Sequence, residues 1–92
     1  SICGLDRQAA QQAFEGFIVG KSLSARQLDF LTLIIDVVAQ RGVITVGDLY
    51  EGPFADRAPN GPEDLFANEE INVLELVFKD LHDRACPTAL AA

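Results

Sequence analysis

Residues 24–42, SARQLDFLTLIIDVVAQRG, decide the fold class. Ser24 followed three residues later by Gln27 is a capping-box pair, in which hydroxyl and amide reciprocally satisfy backbone N–H groups that a helix start leaves without partners. Gly42 supplies a left-handed exit, so the pattern predicts a helix over 25–41. Set out at about 100° per residue, Asp29, Thr32, Asp36 and Gln40 fall on one polar band. Leu28, Phe30, Leu31, Ile34, Ile35, Val37 and Val38 cover most of the remaining surface. A helix so widely apolar needs neighbours on two or more sides and must be central.

Upstream, Asp6 is a suitable N-cap, and Ala9, Ala10, Ala13, Phe14, Phe17 and Ile18 recur at helical spacing until Gly20, predicting a helix over 7–19. Its alanines let a neighbouring backbone approach, and Phe14 and Phe17 provide most of the buried area. Downstream, Thr45 and Asp48 repeat the cap logic and predict a short helix over 46–50 that Gly52-Pro53 ends. A loop then runs to Pro62, which opens a single turn reaching Phe66. Phe54, Leu65 and Phe66 are large apolar side chains in that Gly/Pro-rich segment, so the loop is packed against the bundle. Asn68 is expected to cap the last helix, with Glu69 and Glu70 at its positive end and Ile71, Leu74, Val77, Phe78, Leu81 and Ala85 as its inward stripe before Pro87. Residues 88–92 are expected to fray.

The expected architecture is all-α: a small bundle of three longer helices, a short helix and an ordered Gly/Pro-rich loop, forming a single domain over 1–92. With 92 residues, 49% of them apolar and 23% charged, the chain can bury one modest core but cannot hold a motor, a nucleotide fold and a substrate domain together. It has no methionine, which points to an excised piece of a longer protein. Fourteen acidic residues against seven basic ones give a formal charge of −7, which repels phosphate backbones and argues against autonomous DNA binding. Cys3 and Cys86, in a chain without a signal-like segment, fit free thiols in a reducing cytoplasm. No apolar run approaches the ~20 residues of a bilayer span.

A search for chemistry leaves little. Gly42 and Asp48 have the spacing of the second half of an EF-hand loop, yet the first-half ligand positions fall on Val37, Ala39 and Arg41, which cannot hold a hard cation. An acidic carrier-like domain would put an aspartate directly before its arm-bearing serine, and Leu23 stands before Ser24 here. His82 is the sole histidine, beside Asp83 on a charged face, and Cys86 four residues on does not complete a zinc site. Glu69/Glu70 and Asp80/Asp83 read as solvated helix surface. No residue is assigned a catalytic, cofactor or metal role.

The chain resembles the C-terminal domain of the restriction (R) subunit of type I restriction-modification enzymes, in the EcoEI-like branch. The resemblance is carried by Gly4-Leu5-Asp6-Arg7-x-Ala9-Ala10 with Ala13-Phe14, by Leu23-x-Ala25-x-Gln27 with Phe30 and Ile34, and by Leu49-Tyr50-Glu51-x-Pro53-Phe54 with Gly61-Pro62 and Leu65-Phe66. It implies a cytoplasmic parent with a nuclease domain, two helicase-like motor domains that use ATP and magnesium, and a helical region at the end. None of the family's nuclease or ATP-binding residues is in this chain. What the resemblance implies is a non-catalytic domain that joins the R subunit to the methyltransferase (M) and specificity (S) subunits and meets DNA only through the parent complex. The alternative is an intramolecular brace packed on the motor domains of its own chain.

Four side chains are candidates for such contact. Val73 and Leu76 fall off the inward stripe, among Glu69, Asp80, Asp83 and Arg84, as a docking spot or as ordinary surface aliphatics. Tyr50 and Phe54 either close the domain's own core or anchor a partner.

Overall fold

A computed structural model describes residues 6–85. Among the described residues there are four α-helices, α1 (Arg7–Ile18), α2 (Ala25–Arg41), α3 (Gly52–Arg57) and α4 (Asn68–Ala85), with 3-10 turns at Val46–Tyr50 and Pro62–Asp64. There is no strand among the described residues. The molecule is the all-α bundle expected from residues 24–42. Cys3, Cys86, Pro87 and residues 88–92 lie outside the described residues, as does the Ala85 side chain.

α2 has the expected bounds for the expected reasons. The Gln27 amide donates to Ser24 Oγ at 3.1 Å, and Gln27 Oε1 accepts from the Ser24 amide at 2.8 Å. At the other end Gly42 has φ +76°, a conformation that glycine adopts without a Cβ penalty. α2 is also central: Phe30, Leu31, Ile34, Ile35 and Val38 are buried, and α1 and α3 both pack on it. Leu28 is the exception. It lies in the first turn, where neighbours cover only part of the surface, and is 44% exposed.

α1 begins at the Asp6 cap, whose carboxylate accepts from the Ala9 amide at 2.7 Å, and stops one residue short of expectation, with Val19 already extended. α1 and α4 run antiparallel, because Phe14 meets Phe78 while Phe17, later in α1, meets Phe66 just before α4 begins. All six phenylalanines are buried, at 0–4% exposure. Four of them form a chain through the core: Phe54 packs on Phe30 at 5.3 Å, Phe30 on Phe66 at 6.1 Å and Phe66 on Phe17 at 5.8 Å. Aromatic packing of this kind, edge-to-face at Phe54–Phe30 and Phe66–Phe17 and tilted at Phe30–Phe66, adds about 0.5–1.5 kcal/mol per pair beyond area burial, and here it ties α3, α2, the segment after the Pro62 turn and α1 together.

Two expectations need correction. Gly52-Pro53 does not end a helix but starts one: after the short 3-10 turn, Glu51 is extended and Pro53 sits in the first turn of α3. Proline is disruptive in a helix interior but suits a first turn, where its missing N–H has no intrahelical acceptor anyway. The segment expected to be loop from Gly52 onward is therefore helical to Arg57. At α4, Asn68 is the first helical residue, and Ala67 stands before it: the Ala67 amide donates to Glu70 Oε1 at 2.9 Å and the Ala67 carbonyl accepts from Ile71. The glutamate side chain reaching back to the helix start replaces the expected asparagine cap.

Candidate functional site: the outer face of helix α4

On α4, Leu74, Phe78 and Leu81 are buried and Ile71 and Val77 half-buried, which leaves the opposite side to solvent. Val73 is 42% and Leu76 67% exposed on that side. Beside Leu76, on the side of α4 away from Val73, runs a groove of about 470 Å3. One wall is α4, with Glu75, Leu76, Phe78, Lys79 and His82; the other is Val43, Ile44 and Thr45, which lead into the first 3-10 turn, and Val46, which begins it. Ile44 is buried and Val43 and Val46 half-buried, so the wall is fixed to the core while its flanks stay accessible. The groove can take apolar side chains. Its rim carries Glu75, Lys79 and His82, a mixed set without a convergent pair for acid–base work.

Tyr50 and Phe54, four residues apart, have different fates. Phe54 is 3% exposed against Phe30 and belongs to the core, so it is closed to any partner of the folded domain. Tyr50 is 46% exposed; its ring lies across Gly61, and its hydroxyl donates to Glu63 Oε1 at 2.7 Å. That hydrogen bond to Glu63, followed by loss of solvent and the nearby carboxylate charge, raises the Tyr50 pKa above its ordinary value of 10.0. The structure thus groups Val73 and Leu76 on one face, with only Leu76 reaching the groove, and places Tyr50 away from the groove walls, as a clasp across the Gly/Pro segment.

Three features escape the sequence reading. The Val43–Val46 wall shows no signal beyond apolar content. Gln27 has a second task, its Nε2 donating to the Leu65 carbonyl at 2.6 Å, which a local cap motif cannot reveal. The cations are used at junctions between elements: Arg7 pairs with Asp36, Lys21 with Glu70, Arg41 with Asp48 and Arg57 with Asp29, while Arg26 donates to the Arg57 carbonyl. The formal charge of −7 therefore stands on a surface whose arginines are largely occupied.

Among the described residues no group of three or more His, Cys, Asp or Glu side chains is placed to hold a metal ion. His82 is exposed, with Nδ1 3.9 Å from Asp83 Oδ1. Among the described residues no helix is long and apolar enough to cross a membrane. No curated protein and no solved structure matches the chain. The family model of the EcoEI R protein C-terminal domain does match, over residues 1–83, a span that holds the caps of α1 and α2, the aromatic core and the exposed face of α4; the chain belongs to that family, the C-terminal part of type I restriction enzyme R subunits.

Proposed function

We propose that this chain is the docking module through which an R subunit attaches to the methyltransferase core of M and S subunits in the cytoplasm, with no chemistry of its own. The observation that carries this reading is Leu76. In a domain that encloses every phenylalanine, it is 67% exposed at the edge of an apolar groove, as a residue kept for a partner is. Family membership supplies the context of a multisubunit enzyme. ATP turnover, magnesium binding, translocation and cleavage then belong to other domains of the R subunit, and DNA reaches this domain only within the assembled complex. The acidic balance supports that division, since a protein binds duplex DNA by neutralising phosphates with available Lys and Arg.

Competition tests the reading. Micromolar excess of the free chain added to a reconstituted type I enzyme is expected to suppress ATP-dependent cleavage and leave methylation intact, because the free chain occupies the site an R subunit needs. Undiminished cleavage at saturating chain would contradict docking. Binding of the chain to isolated motor domains in the same experiment would favour the brace within the R subunit.

A further inference from the structure

The exposed face of α4 also has a charge pattern. At about 100° per residue, Glu69, Asp80 and Asp83 lie within about 40° of Leu76 on the helix surface, and all three are exposed. Val73 and Leu76 are thus an aliphatic spot with carboxylates above and below it along the helix. Asp80 is engaged by Arg84 at 2.9 Å. The groove side is mixed, Glu75 adding a further carboxylate beside Lys79 and His82.

From this arrangement we propose that the outer face of α4 receives a basic amphipathic helix of the methyltransferase core, its aliphatic side chains on Val73, Leu76 and the groove and its Lys or Arg residues against Glu69 and Asp83. The inference rests on the docking reading above and names its surface and the chemistry of the partner. Charge selects among the possible occupants. A second copy of this chain would bring the same carboxylates and another −7 of formal charge to the contact, which is repulsive. An anionic lipid surface is repelled for the same reason, and duplex DNA has nothing to place on a Val–Leu spot. A helix with one aliphatic ridge flanked by cations meets both halves of the pattern, its own anchors recurring every three or four residues as they do where a helix is received in a groove.

The test measures binding of this chain to purified methyltransferase core by fluorescence anisotropy, with thermal melting of each variant alongside. Leu76→Asp is expected to weaken binding by about tenfold or more with an unchanged melting temperature, and the double variant Glu69→Lys/Asp83→Lys to weaken it and flatten its dependence on salt. Leu28→Asp, at an exposed aliphatic of α2, is expected to bind as the unmodified chain does. If the unmodified chain binds and both the Leu76 and the charge-reversed variants bind equally well, the face is wrong while docking stands. If the unmodified chain does not bind, docking falls and the face with it. Self-association of the chain that Leu76→Asp abolishes would make the occupant a second copy and overturn the proposal. Should Leu76→Asp melt early, the charge-reversed variant decides alone.

Discussion

The tightest local constraint in the domain is at Gly61, where φ +102° and ψ 178° define a backbone region that is open essentially to glycine alone. A Cβ there would also overlap the Tyr50 ring. Gly61→Ala is therefore expected to cost about 1–3 kcal/mol from the backbone alone, read as a lower melting temperature. Adding Tyr50→Ala should relieve the overlap but not the backbone strain, so the double variant stays below the unmodified protein. Tyr50 carries a pH signature as well. Its folded-state pKa is raised above 10.0, so its hydroxyl's contribution to stability is fully present below about pH 10 and is lost as pH rises through the folded value. Titration of the phenolate absorbance should give a midpoint above that of free tyrosine, and in Tyr50→Phe this part of the alkaline destabilisation should be missing. Phe54 is the contrasting case: buried against Phe30, it should lose about 3–5 kcal/mol on change to alanine, seen by chemical denaturation, and any loss of partner binding should follow unfolding.

At the scale of elements, Gln27 does more than its motif announces. Ser24→Ala removes one capping acceptor and is expected to cost about 1 kcal/mol. Gln27→Glu keeps an acceptor for the Ser24 amide but sets a carboxylate against the Leu65 carbonyl, leaving a half-buried polar group without its donor at about 1–3 kcal/mol. That variant should also speed proteolysis of the Gly/Pro segment at 58–67, which Ser24→Ala should leave nearly unchanged. The same pair shows what was legible in the sequence. The ends of α2 could be read because Ser24, Gln27 and Gly42 act within a turn of where they stand. The Gln27–Leu65 tether spans 38 residues and has no local sign. α3 has no local sign for a related reason: Gly52-Pro53 is compatible with stopping one helix and with starting the next, and the choice is made by Phe54 reaching Phe30 across the core. On α4 the exposure of Val73 and Leu76 follows from helical periodicity, whereas the groove beside Leu76 depends on the Val43–Val46 wall brought in from elsewhere in the chain.

For the whole molecule, six buried phenylalanines and ion pairs joining successive elements make a shape-holding body, and the acidic outside carries single exposed aliphatics at Val19 and Leu28 and the Val73–Leu76 pair on α4. Such surface ion pairs are each worth about 0–1 kcal/mol, so moderate salt should lower the melting temperature little, while partner binding that relies on the carboxylates of α4 should weaken. The most direct measurement is a calorimetric titration of this chain into the complex of M and S subunits, without DNA or ATP. Saturable binding with a negative heat-capacity change, the mark of apolar surface buried between two proteins, is the predicted result; absence of any heat of association at tens of micromolar chain would contradict the account.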